Sequence, residues 1–162
     1  DGVSSNASPL TLREKLVRSV LHTYSSDIPQ QQQTFVNAQA EELLKAVAVH
    51  SSLRFAGSTL TDLISELEPP KLQAVLRMTE ARLNASTRGS LFEPLFAFPD
   101  EDRNSLLRLS TEALAVQMNH SVPDVRKTVV FCLVEVCEAL GMETFKQFVM
   151  ETHLNISQQR LV

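Results

Sequence analysis

The chain has 162 residues, 43% hydrophobic and 21% charged, with 4 Gly, 7 Pro, one Tyr and no Trp. That is enough for one domain with a real core, and too little turn punctuation for many short strands. A formal net charge of -4 and a pI near 5.6 exclude the concentrated Lys/Arg excess of a general nucleic-acid binder.

Apolar residues recur every three or four positions along most of the length, the period of amphipathic helices, so the chain reads as all-α. Pro9 opens the first expected helix, with Ser8 as N-cap. Its stripe is Leu12, Leu16, Val17, Val20, Leu21 and Tyr24, with Arg13, Glu14 and Arg18 facing away. Residues 25–29 end it, and Gln30–Gln33 is a solvated loop or helix start. A second helix carries Phe35, Val36, Leu43, Leu44, Val47 and His50, completing an antiparallel pair. Gly57-Ser58-Thr59 then resets the pattern, with Thr59 and Asp62 placed like a capping box. Leu60, Leu63, Ile64 and Leu67 form a short helix stopped at Glu68-Pro69-Pro70. Leu72, Val75, Leu76, Thr79 and Leu83 mark the next helix, and residues 84–89 read as a turn. Phe92, Phe96 and Phe98 are expected to plug the core from a compact segment.

Asp100, Glu101 and Asp102 open a longer helix, as the macrodipole favours. After a turn at residues 119–123, the segment PDVRKTVVFCLVEVCEALG is apolar around most of its circumference, which suggests cover on two sides. Gly141 sits where a left-handed C-cap is wanted. Residues 142–151 form another amphipathic turn or two, and Asn155-Ile156-Ser157 caps a last helix that the end of the sequence cuts short. Residues 1–8 read as a linker or disordered start, and 9–162 as the domain.

The first helices of successive pairs are expected near residues 10, 59, 101 and 142, close to the roughly 40–47-residue unit of HEAT-type repeats. Pairs of this kind stack because none can bury its apolar face alone. A four-helix bundle with added helices is the competing architecture.

Cys132 and Cys137 lie five apart on one helix, on different faces, and read as small core side chains in a reducing compartment. Asn-x-Ser sequons occur at Asn6, Asn84, Asn119 and Asn155. The last three fall at expected helix ends, where Asn and Ser serve as caps, so the cytosolic reading is preferred.

The segment PDVRKTVVFCLVEVCEALG, followed by LNISQQRLV, resembles the C-terminal helical domain of the CLASP family, the cytoplasmic linker-associated microtubule regulators. The matching residues are Ser121, Val125-Arg126-Lys127, Val130-Phe131-Cys132-Leu133-Val134, Gly141, Leu154-Asn155, Ser157-Gln158 and Leu161-Val162. They cover about the last quarter to third of the chain. The resemblance implies a HEAT-repeat array of the TOG type and a role at microtubules and the spindle. It further implies docking to plus-end, kinetochore, cortical or Golgi partners, with homodimerisation or direct tubulin binding as alternatives. Tubulin-gripping TOG domains present an aromatic, often Trp, in the first intra-repeat loop and basic residues in later ones. This chain has no Trp, and its first such loop, residues 27–34, is rich in Gln.

No catalytic constellation stands out. His22, His50, His120 and His153 lack metal-ligand spacing, and Gly2, Gly57, Gly89 and Gly141 make no phosphate-cradling loop. No enzyme activity, metal, cofactor or membrane insertion is expected, and the partners are proteins. The candidate partner-binding residues are Asn119, His120, Arg126 and Lys127, at the start of a pair's second helix, on the edge TOG domains use. For Arg126 the competing reading is a hydrogen-bond ladder, with Asp124, between neighbouring repeats. Phe92, Phe96 and Phe98, and Met142, Phe145 and Phe148, would offer a groove for a partner helix if part of either cluster is exposed.

Overall fold

The computed structural model describes residues 11–25, 30–88 and 99–151, and every regular element among them is helical. Helix α1 spans Leu12–His22 and ends in a 3₁₀ turn, Thr23–Ser25. Helix α2 runs Gln30–Val49. A first rod then joins α3 (Leu53–Phe55), a π-helical stretch (Ala56–Leu60) and α4 (Thr61–Glu66). Helix α5 is Lys71–Arg88. A second rod joins α6 (Asp100–Arg108), a π-helical stretch (Leu109–Leu114) and α7 (Ala115–Gln117). Helices α8 (Pro123–Leu140) and α9 (Met142–Glu151) follow.

Local chemistry sets the ends. Thr11 caps α1, its Oγ1 accepting from the Glu14 N–H at 3.2 Å, which places the start three residues after the expected Ser8-Pro9 signal; those two lie outside the described residues. Ser52 caps the first rod, accepting from the Phe55 N–H at 3.3 Å. The expected break at residues 57–59 is therefore a correction: the helix runs through it. Gly57 is there for space, since a Cβ would lie 2.5 Å from the Ser105 Cβ and 2.6 Å from its Cα. The π stretch and the missing side chain together bring the two rods into contact. Gly141 has φ 83 and ψ 151, so glycine is needed there, though its ψ is extended and not that of a left-handed helical cap.

The elements form two layers. In one, α5 lies between α2 and α8; in the other, the two rods pack side by side. Within each layer the neighbours run the same way. Rod starts meet through Arg54 and Glu101, and rod ends through Gln117 Nε2, which donates to the Ile64 carbonyl at 3.1 Å. In the other layer Arg77 of α5 meets Glu41 of α2 at 2.9 Å, and Cys132 of α8 donates to the Leu76 carbonyl at 3.4 Å. Short connections then make each consecutive pair antiparallel. One continuous cluster fills the space between layers, with Val17, Leu44, Leu63, Ile64, Leu76, Met78, Leu109 and Leu133 at 0–1% exposure.

One further expectation is corrected. Asn84 is inside α5 and not in a turn; its amide donates to Glu135 Oε1 at 3.0 Å. Helix α8 is covered as expected on two sides, by α5 and by the second rod, while Phe131 and Val134 on its remaining face stay 46% and 42% exposed. The segments holding Asn6, Phe92, Phe96, Phe98 and Asn155 lie outside the described residues.

Candidate functional site

Of the four sequence-predicted site residues, His120 and Arg126 meet at one edge of the two-layer stack, where the turn after the second rod meets the turn after the first; Asn119 lies in the same turn and Lys127 near the start of α8, over Phe131. At residues 118–122 the backbone tightens, with the His120 N–H donating to the Gln117 carbonyl at 3.0 Å. The His120 Nδ1 then accepts from the Val122 N–H at 3.1 Å. That bond places the proton of a neutral ring on Nε2, which faces the Glu68 carboxylate of the neighbouring turn at 3.9 Å.

Arg126 turns back onto its own loop. Its Nη1 donates to the carbonyls of His120 at 2.6 Å and Ser121 at 3.0 Å. The role is structural, but it clamps the turn and makes no ladder to a neighbouring pair. Lys127 is exposed, with its ammonium 5.9 Å from the centre of the Phe131 ring. Asn119 is exposed at the tip. The charges of this edge are mixed: Glu66, Glu68 and Asp124 stand among Lys71, Arg126 and Lys127. Glu66 is further engaged by Arg18 at 3.1 Å. The arrangement fits a polar contact surface held rigid by its own hydrogen bonds.

A second feature, at the opposite edge, was not anticipated. An open groove of about 860 Å³ lies between the start of α1, the end of α2 and the start of the first rod. Leu12, Leu16, Ala46, Val47 and Phe55 make its apolar surface, and Arg13, Arg54 and His50 line its polar rim. Leu12 is 84% and Leu16 45% exposed. Arg13 was expected to face away; its guanidinium lies 5.9 Å from the Phe55 ring centre. A sequence signal existed: α1 has two i, i+4 stripes, Leu12/Leu16 and Val17/Leu21, and a single partner helix buries one. The structure buries Val17 and Leu21.

A third cluster lies between α5 and α8. Glu135 is 5% exposed and accepts from Thr87 Oγ1 at 2.7 Å and from Asn84 Nδ2 at 3.0 Å. Burial and the nearby Glu135 carboxylate push the Glu80 carboxyl above its ordinary range, against the pull of Lys45 and Arg77. Burial, helped by Glu80 and Glu135, pushes the Cys132 thiol far up, so it stays protonated. Cys132 is thus a core side chain, and the Asn84 nitrogen that a glycan would need is engaged inside the fold.

Among the described residues no group of three or more His, Cys, Asp or Glu is placed to hold a metal ion. None of the described helices is long and apolar enough to cross a membrane. Comparison with family models, with curated proteins and with solved structures returned no match.

Proposed function

We propose that the chain is a protein-docking module of a CLASP-type microtubule regulator: a HEAT-repeat, TOG-like α-solenoid that recruits its parent to plus-end, kinetochore or cortical partners in the cytoplasm and on the spindle. The solenoid reading is supported by the same-direction packing within each layer. The pair starts at Leu12, Leu53, Asp100 and Met142 support it too, falling near the repeat unit of about 40–47 residues. The family reading rests on the VRK and VFCLV residues of α8 and on the closing LNISQQRLV.

The observation that carries docking over tubulin binding is the character of the loop edge. Glu66, Glu68 and Asp124 offset its cations, and Arg126 is occupied by its own loop carbonyls. A surface built to hold acidic tubulin would gather unopposed positive charge there. Exposed Phe131, Val134 and Met142 favour homodimerisation as a second reading. Light-scattering chromatography of the chain, alone and with soluble tubulin, separates these. The expected result is a monomer that elutes apart from tubulin, while a fluorescent fusion in dividing cells gathers at microtubule ends, kinetochores or the cortex. Co-elution with tubulin, or a fusion that stays diffuse, overturns the proposal.

A further inference from the structure

We infer that the groove between α1, α2 and the first rod is the docking seat, and that it takes an acidic amphipathic helix of another protein; this rests on the docking reading above. Among the described residues the groove's lining holds Arg13, Arg54 and His50 and no Asp or Glu, although the whole chain is acidic at -4. Its local charge is thus opposite to that of the molecule. Arg54 is shared with Glu101 of the second rod, which leaves Arg13 as the exposed cation of the rim, with the exposed His50 imidazole on the same rim as a hydrogen-bonding group.

The apolar part is a continuous lining that an amphipathic helix could cover. Three elements supply it: Leu12 and Leu16, one turn apart on α1, Ala46 and Val47 of α2, and Phe55 of the first rod. A helix laying Leu-type side chains at i, i+4 and i+7 onto this lining buries them, while flanking carboxylates reach Arg13 and His50. Leu12 at 84% and Leu16 at 45% exposure are neighbours on one stripe of α1, so together with the groove lining they make a patch and not an isolated exposed side chain. Groove and charge together select an acidic helix over a basic one.

The test is fluorescence anisotropy with the full chain and a labelled, stapled helical peptide of about 14 residues. It carries Leu at i, i+4 and i+7 and Glu on both flanks; a counterpart has every Glu replaced by Lys. The acidic peptide is expected to bind at micromolar concentration and the basic one at least about tenfold more weakly. Arg13→Glu is expected to weaken the acidic peptide at least about tenfold, and Leu12→Ser, at a position too exposed to affect folding, severalfold. Equal binding of both peptides, no binding of either, or indifference to Arg13→Glu overturns the inference. So does a dimer that Leu12→Ser dissociates and the peptide cannot displace, which assigns the groove to a second copy. The same variants in the cell-localisation experiment keep the two proposals apart. Peptide binding in a chain that stays diffuse overturns the microtubule reading alone; a localised chain that ignores the peptide overturns the groove alone.

Discussion

The two edges of the stack solve the same problem, a break between helices, in opposite ways. At the loop edge, residues 118–122 close on themselves: His120 accepts from Val122, Arg126 covers two carbonyls, and Gln117 ties the turn to Ile64. At the groove edge the helix starts are also capped, by Thr11 and Ser52, yet Leu12 and Leu16 remain uncovered. One edge has met its own polar needs and the other has left apolar surface open. Polar groups satisfied internally give little to a partner, because breaking their bonds costs what a new contact returns. Uncovered leucines gain on any contact that excludes water, about 25 cal/mol per Å².

The largest break in this comparison is expected from Gly57→Ala. The added Cβ meets Ser105 main-chain and Cβ atoms at 2.5–2.9 Å, so the rods must part, at a cost of about 1–3 kcal/mol. The change lies close to Phe55 and Ser58 of the groove, so peptide binding should fall along with the urea midpoint. An unchanged midpoint would mean that the rods are not held at contact there. Arg126→Ala is expected to cost less, about 0.5–1 kcal/mol, because its two bonds to loop carbonyls lie in solvent. Hydrogen exchange should quicken around residues 118–122 and stay unchanged at the groove.

Away from both edges, Glu80 supplies a control by pH. Its folded pKa is raised by burial and by Glu135, so ionising it opposes folding. Its contribution therefore improves as pH falls from above the raised value towards the ordinary carboxylate range, and is flat below that. Glu80→Gln should remove this slope and slightly stabilise the chain at neutral pH. Urea unfolding across pH 4–8 on both proteins reads the difference; parallel curves would mean that Glu80 is not strained.

The all-helical class, most helix centres and the Gly141 stop were legible because each rests on local periodicity or on one residue's backbone freedom. Three features were not, for distinct reasons. The helix through Gly57 depends on Ser105, 48 positions away along the chain, and a glycine that admits a neighbour has the same sequence signature as one that ends a helix. Asn84 looked like a turn residue because its partner, Glu135, is on another helix. The candidate site divides in the same way. Asn119, His120, Arg126 and Lys127 were found as a cluster because they adjoin in sequence. The groove was missed because Leu16, Val47 and Phe55 meet only through packing.

The finest discrimination comes from making one charge change at both edges. Arg13 and Lys127 are both exposed cations, each 5.9 Å from the centre of a phenylalanine ring, Phe55 and Phe131 respectively. Replacing either by Glu removes a solvent-facing cation–π contact, and neither should shift stability by more than about 0.5 kcal/mol. Any difference between the two variants then reports on binding and not on folding. Arg13→Glu should weaken capture of the acidic peptide at least about tenfold, since it places a carboxylate beside the peptide's own. Lys127→Glu should leave capture intact, because its ring belongs to the outer face of α8 and its neighbours are not in the groove. Anisotropy titrations beside urea midpoints for the pair settle it. If Lys127→Glu loses the peptide and Arg13→Glu keeps it, the edge that satisfies its own hydrogen bonds is the one that docks, and the argument from open leucines fails.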